Sequence, residues 1–167
     1  MISSVKPGDI NSLVETNKLK TFPGIILHHT AIHTGQHNPQ AEFVENYHLN
    51  EKKWKNGMGY HFLIEADGTL KCGKRWKWQG ICQGSHQTGW NHFLGVAFAG
   101  HFGPVPKSYP YDAEMPKEKQ IATWLKLREQ FYYRIPVYPH LAFKSTKCPG
   151  DNITLAYWFK VIAKPRR

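Results

Sequence analysis

The stretch GIILHHT, residues 24–30, decides the fold of this chain. It follows Pro23 and is apolar and rich in β-branched residues, which is typical of a buried β-strand. His28 comes at the end of this strand, and a polar side chain at a buried position needs a partner. The stretch therefore predicts a central strand that carries one polar group into the interior.

Segments on both sides of this strand predict alternating strands and helices. In chain order they are a helix over 40–54, a β-hairpin over 59–74 with a tight turn at Asp67-Gly68, a strand over 95–102, an irregular loop over 103–114, a helix over 115–134, a strand over 137–143 and a last helix from 153. Pro139 places the strand at 137–143 on a sheet edge, and Asp151 or Asn152 is the expected cap of the last helix. These elements indicate an α/β domain with one central sheet covered by helices.

The first helix carries an apolar stripe of Phe43, Val44 and Tyr47, extended by Trp54. Amphipathic helices normally bury such a stripe, so we expect core packing for all four side chains.

The composition fits one globular domain over residues 1–167, with 1–21 as an N-terminal extension. The hydrophobic fraction is 41% and the aromatic fraction 14%, which excludes a disordered chain. No apolar run approaches the roughly 20 residues of a membrane span. The N-terminus lacks the apolar centre of a secretory signal, so we expect synthesis in the cytoplasm and export by another route.

The formal net charge of +10 predicts an anionic partner. A nucleic acid is one candidate, but no helix–turn–helix, paired-cysteine finger or RNP pattern supports it. Anionic cell-wall polymer or a membrane surface fits the charge equally well. The basic, aromatic C-terminus AYWFKVIAKPRR leaves a membrane-disturbing role open beside a packed helix.

Three of the histidine and cysteine residues form a candidate metal site. His28 and His140 each interrupt an apolar strand, and Cys148 stands in a polar turn. Two imidazoles and one thiolate suit Zn²⁺ and leave a fourth position for water, which is the pattern of catalytic sites. A bond between Cys72 and Cys82 is an alternative use of the other two cysteines, although three cysteines cannot build a disulfide framework.

Four motifs, in the order ILHHTA, GMGYHFLIEADGTL, GSHQTGWN and HLAFKSTKCPGDN, resemble the zinc-dependent N-acetylmuramoyl-L-alanine amidases of the type 2 family, which includes the peptidoglycan recognition proteins. The resemblance covers about residues 22 to 160. It implies a mixed central sheet flanked by about three α-helices. It also implies one zinc ion per monomeric chain, peptidoglycan as partner, and cleavage of the amide between N-acetylmuramic acid and L-alanine.

The resemblance assigns zinc to His28, His140 and Cys148. His29 is the competing ligand, but adjacent strand residues face opposite sides of a sheet. The resemblance also places Tyr60 beside the attacking water.

Thr146 takes the position that stabilises the oxyanion in the family. Some relatives carry lysine there, which raises the question of whether Lys144 or Lys147 supplies a positive charge.

The motif GSHQTGWN predicts a substrate-binding loop, because small residues flank His86 and are followed by Trp90 and Asn91. The alternative is a turn whose Trp90 covers the core. His61 follows Tyr60 and is expected to be structural, and the polar surroundings of His33, His37, His48 and His92 predict surface positions.

These features predict a peptidoglycan amidase that acts as a phage or prophage endolysin on the cell wall after release. We expect no separate cell-wall-binding domain, because one catalytic domain accounts for the 167 residues. The main alternative is a non-catalytic peptidoglycan-binding module. Such modules commonly lack a zinc ligand, usually the cysteine, whereas Cys148 is present here.

Overall fold

A computed structural model describes residues 1–6, 22–77, 84–105, 107–130, 135–154 and 157–162. Within these ranges six strands form one sheet in the order β1-β4-β3-β5-β2-β6. The strands are β1 Ser3–Val5, β2 Ile25–His29, β3 Phe62–Ile64, β4 Leu70–Cys72, β5 Leu94–Phe98 and β6 Val137–Pro139. The strands β3, β5, β2 and β6 are parallel, whereas β1, β4 and β3 pair antiparallel. The sheet is therefore mixed.

Three α-helices accompany the sheet in the described part of the chain. They are α1 Ala41–Asn50, the single turn α2 Lys74–Lys77 and α3 Glu118–Gln130. A 3-10 helix at His140–Ala142 follows β6 directly, and a π-helical segment spans Trp158–Ile162. The predicted α/β fold with a mixed sheet and about three helices is confirmed.

Side chains alternate between the two faces of the sheet and form one core on each side. The larger core contains Ile25, Leu27, Phe62, Ile64, Val96, Phe98, Trp124 and Leu127, and the smaller one Ala41, Val44, Met58, Leu63, Ala97 and Ala99. Because Ile25 and Leu27 face the α3 side, alternation turns His28 toward α1. The register places His28 beside Ala97 of β5.

Several boundaries differ from the sequence predictions. The predicted strand over 137–143 ends at Pro139, since the chain turns into the 3-10 helix that carries His140. β6 does lie at the sheet edge, as Pro139 predicts. The strand β1 was not predicted and extends the sheet by pairing with β4.

The predicted cap of the last helix was wrong. Asp151 forms an ion pair with Lys147, and the Asn152 side chain donates to the Glu114 carbonyl. The backbone N–H of Tyr157 bonds instead to the Thr154 hydroxyl. Cys82, and with it the possible bond to Cys72, lies outside the described residues, as do 7–21 and 163–167.

The stripe on α1 divides between the core and the surface. Val44 is buried, but Phe43 is 40% and Tyr47 42% exposed, so the expectation that both pack in the core was wrong. Among the described residues, no helix is long and apolar enough to cross a membrane.

Candidate metal centre and adjoining groove

His28, His140 and Cys148 come together where the parallel strands β2 and β6 end. β2 and β6 are parallel neighbours, so His28 at the end of one and His140 just beyond the other emerge together. The loop after the 3-10 helix returns Cys148 to the same point. Each of the three offers a ligand atom, and these atoms all lie within 4.8 Å of one another. Cys148 Sγ lies 3.7 Å from His28 Nδ1, and the two imidazole rings are 4.3 Å apart.

The protonation of the three groups suits a metal site. Burial, reinforced by the neighbouring His86 and His140, lowers the pKa of His28 well below its ordinary value. Burial and the nearby Lys144 lower the pKa of His140 to about 4. Both imidazoles are therefore neutral at pH 7, which is the form that binds a metal.

Burial raises the pKa of the Cys148 thiol to about 12, although the His29 backbone N–H donates to its sulfur. A thiolate at this position needs a cation beside it. Two neutral imidazoles and a buried thiol that only a cation can ionise at neutral pH fit Zn²⁺, with no fourth protein ligand required.

His28, and not His29, lies beside the other two candidate ligands. His29 faces the opposite side of the sheet, where its Nδ1 accepts a 3.1 Å hydrogen bond from the Phe102 backbone N–H. Its ring lies near His101, 5.8 Å between centroids. His61 is fully buried and accepts a hydrogen bond from Gly95, which agrees with a structural role.

The loop 84–91 forms hydrogen bonds with the side chains of both His28 and His140. His86 Nδ1 is 2.9 Å from His28 Nε2, and Gln87 Oε1 bonds to His140 Nε2. Asn91 Oδ1 accepts from the backbone N–H groups of both His86 and Gln87, at 3.0 and 2.9 Å. Gln87 was missed in the sequence, where only its position next to His86 in GSHQTGWN pointed to it.

Tyr60 lies next to the candidate metal site on the α1 side. Its ring is 5.1 Å from that of His28. Burial, followed by the proximity of Cys148, raises the pKa of Tyr60, so its hydroxyl stays protonated and can donate. Thr146 Oγ1 accepts a 3.3 Å hydrogen bond from the Cys148 N–H, and this bond leaves the threonine O–H proton available for donation.

A groove of about 410 Å³ runs from Tyr60 along α1. It is lined by Thr30, Ile32, Phe43, Val44, Tyr47, His48 and Tyr60. The exposed rings of Phe43 and Tyr47 form part of its wall, which accounts for their absence from the core. His48 was expected at the surface, but it is half-buried, accepts from the Gly59 N–H and stacks on Trp54.

A smaller cavity of about 170 Å³ lies beside His140. Its lining includes Trp54, His86, Gln87, Asn91, His140 and Lys144. Trp90 is 39% exposed at this end of the molecule and packs against Phe93 and Phe143. Lys144 therefore borders the site, whereas Lys147 pairs with Asp151 at 3.0 Å.

Comparisons with known proteins agree with this arrangement. The family profile of the N-acetylmuramoyl-L-alanine amidases matches residues 18–151, so the chain belongs to the type 2 amidase family, which includes the peptidoglycan recognition proteins. Peptidoglycan-recognition protein SC2 of Drosophila melanogaster is 27% identical over 158 residues, covering 92% of this chain and 82% of its own.

Two solved endolysin structures share the fold. The endolysin N-acetylmuramoyl-L-alanine amidase LysCS from Clostridium intestinale is 28% identical, with a TM-score of 0.63 over 79% of this chain and 77% of its own. The Ph2119 endolysin of a Thermus scotoductus bacteriophage is 24% identical, with a TM-score of 0.58 over 78% of each chain. The second of these likenesses shows the fold alone.

Proposed function

We propose that this protein is a zinc-dependent N-acetylmuramoyl-L-alanine amidase that hydrolyses the amide between N-acetylmuramic acid and L-alanine in peptidoglycan. The observation that carries the proposal is the convergence of His28, His140 and Cys148 beside a groove, in a chain that belongs to the amidase family. The chain binds one zinc ion through these three side chains and acts as a monomer.

The chemistry at this site needs a nucleophile, a polarised carbonyl and proton donors. Bound zinc would lower the pKa of a water to about 7 and polarise the scissile carbonyl. The Tyr60 hydroxyl orients the attacking water and donates to the oxygen that becomes negative. The Thr146 hydroxyl donates from the Cys148 side. One preorganised donor of this kind is worth about 3 kcal/mol in the transition state.

The groove along α1 begins at Tyr60, and the small cavity lies beside His140, so both adjoin the candidate metal site. The exposed rings of Phe43 and Tyr47 suit the apolar faces of sugar and peptide. Trp90 and Asn91 remain predicted substrate contacts, whereas both ring nitrogens of His86 already bond to His28 and to the Phe93 carbonyl. Lys144, at the rim of the small cavity, is placed to attract a carboxylate of the stem peptide.

The biological role we propose is that of a phage or prophage endolysin, which reaches the cell wall after release from the cytoplasm. The similarity to LysCS supports this role. The alternative, a peptidoglycan-binding module without catalysis, draws on the similarity to a recognition protein. The presence of all three candidate ligands favours the enzyme.

The direct test measures both metal and product. Purified protein is expected to contain about one zinc per chain and to release stem peptides with a new L-alanine amine from purified sacculi. Chelation should abolish this release and added zinc should restore it. New reducing sugar ends without a new amine would show a glycosidase instead.

Cys148→Ser separates the enzyme from the binding module. We expect it to lose zinc and activity while its circular dichroism spectrum stays that of a folded protein. A chain that binds sacculi equally well with and without zinc, and cleaves nothing, would support the binding module. Unfolding on chelation would show that the metal has a structural role.

A further inference from the structure

The loop 84–91 contacts the Nε2 atoms of both candidate histidine ligands. In His28 this leaves Nδ1 as the nitrogen next to Cys148 Sγ. Sequence reasoning assigned this loop to substrate, yet two of its side chains point to His28 and His140 rather than into the groove along α1. Each of these two series of hydrogen bonds has at one end a backbone carbonyl, which can only accept, and this indicates which nitrogen of each ligand carries a proton.

The first chain of hydrogen bonds begins at a carbonyl. His86 Nε2 lies 3.1 Å from the Phe93 carbonyl oxygen, which can only accept, so Nε2 carries the proton. A neutral imidazole has one N–H, and His86 Nδ1 is therefore an acceptor. It faces His28 Nε2 at 2.9 Å, so His28 donates from Nε2. The unprotonated nitrogen of His28 is then Nδ1, the one next to Cys148 Sγ.

The second series of hydrogen bonds also begins at a backbone carbonyl and ends at a candidate ligand. Gln87 Nε2 donates to the Thr88 carbonyl at 3.3 Å, which fixes the orientation of the amide and leaves Gln87 Oε1 as the acceptor. Oε1 bonds to His140 Nε2, so His140 also donates from Nε2 and keeps Nδ1 unprotonated. Two consecutive residues thus select the same tautomer in the two histidines.

The ring of His86 is held in place by close packing. A Cβ atom on Gly84 would lie 2.3 Å, and one on Gly95 2.5 Å, from His86 Cδ2. Such distances are impossible, so both positions must be glycine for the ring to occupy this space. Asn91 Oδ1 accepts hydrogen bonds from the backbone N–H groups of His86 and Gln87 and so fixes the backbone at both residues.

We infer that His86 and Gln87 are positioning residues that hold His28 and His140 in the Nε2–H tautomer and so present both Nδ1 atoms to the metal. Asn91 braces the loop that carries them. The inference rests on the proposed zinc site and adds the residues that prepare it. Outer partners of this kind usually contribute about 10- to 100-fold to metal affinity.

The test combines tautomer spectroscopy with metal affinity. Long-range ¹H–¹⁵N spectra of the zinc-free wild-type protein are expected to show His28 and His140 protonated at Nε2. A competition assay with a chromophoric chelator then gives the zinc dissociation constant of each variant. His86→Phe keeps a ring but removes the acceptor, and we expect it to weaken zinc binding about 10- to 100-fold and to leave His28 as a mixture of tautomers.

Conservative variants and a matched control make the result specific. His86→Asn places an amide oxygen where Nδ1 was and should recover part of the affinity. Gln87→Leu should weaken zinc binding and Gln87→Glu, which keeps the acceptor, should not. His92→Phe, the same substitution at an exposed histidine six residues further on, should bind zinc as the wild type does.

The inference is overturned if the wild-type spectrum shows either ligand protonated at Nδ1. It is also overturned if folded His86→Phe and Gln87→Leu both keep the wild-type dissociation constant. If His86→Phe fails to fold, the inference is still tested by the wild-type tautomer spectrum and by the zinc dissociation constants of Gln87→Leu and Gln87→Glu. A wild-type protein that binds no zinc contradicts the proposed function, and the tautomer spectrum alone then tests the inference.

Discussion

At the scale of single residues, the hydroxyl of Tyr60 combines two properties that a transition-state donor needs. It lies beside His28 at the head of the groove, and its raised pKa keeps the proton on the oxygen. A hydrogen bond that strengthens as charge develops contributes to kcat and not to ground-state binding.

Tyr60→Phe is therefore expected to lower kcat about 100-fold or more while zinc binding stays unchanged. Steady-state digestion of peptidoglycan and a zinc titration measure the two quantities separately. Tyr157→Phe, a tyrosine packed against the larger core, is the matched control and should keep wild-type turnover. Unchanged turnover in Tyr60→Phe would reduce this residue to a packing role.

At the residue scale, a sequence supports the sharpest predictions where chemistry limits the choice of side chain. His28, His140 and Cys148 were identifiable because a histidine at the end of an apolar strand and a cysteine in a polar turn are unusual placements. Gln87 was not identifiable, since its role consists of a contact with His140, which lies 53 residues away in the chain.

At the scale of elements, Glu114 joins two loops near the site. Its carboxylate accepts hydrogen bonds from the backbone N–H groups of Thr34 and His101 and from the Thr34 hydroxyl, and the side chain is buried. Burial acts to raise the pKa of Glu114, but these hydrogen bonds, with His33 nearby, outweigh it and the pKa is lowered. The loop after β2 is thereby tied to the loop after β5.

Glu114→Gln is expected to lower the free energy of unfolding at pH 7 by about 2 kcal/mol, because hydrogen bonds to a charged acceptor are lost. A carboxyl whose folded pKa is depressed stabilises the protein above its unfolded pKa of about 4.3. That contribution disappears as the pH falls through the lower folded value. The difference between wild type and variant should therefore be full at pH 6 to 7 and vanish in stronger acid.

Denaturant unfolding at several pH values measures this difference. Glu118→Gln, an exposed glutamate at the start of α3, is the control and should change stability little at any pH. A Glu114→Gln variant equally destabilised in strong acid would show that shape, and not charge, holds the loops together.

The predicted element boundaries were wrong where tertiary contacts compete with the local pattern of apolar residues. The apolar run 137–143 resembles a strand throughout, but the chain leaves the sheet at Pro139 and puts His140 on a 3-10 helix. The apolar stripe on α1 predicted a helix correctly. It did not predict that Phe43 and Tyr47 would border a groove instead of the core.

At the scale of the whole molecule, the net charge of +10 favours an anionic polymer as partner. Long-range attraction of this kind is screened by salt, with a Debye length of about 10 Å at 0.1 M and about 3 Å at 1 M. Contacts inside the site are screened much less.

We expect the KM for intact sacculi to rise steeply between 0.05 and 0.5 M salt while kcat stays nearly constant, a window chosen because the Debye length shrinks several-fold across it. Digestion of a small stem-peptide fragment of low charge is the control and should depend weakly on salt. Equal salt dependence for both substrates would locate the effect in the site and not in the basic surface.

The sequence by itself determined the class of fold, because the periodicity of apolar residues in the central strand, the hairpin and the two main helices is a local property. It also predicted His28, His140 and Cys148 as candidate metal ligands, whose ligand atoms lie within 4.8 Å of one another, because imidazole and thiolate groups suit zinc chemically. Only the tertiary structure decided which residues form hydrogen bonds with the candidate ligands, where the groove runs and with which strand β1 pairs. Those features depend on distances across the sheet, and the order β1-β4-β3-β5-β2-β6 brings together segments that are far apart in the chain.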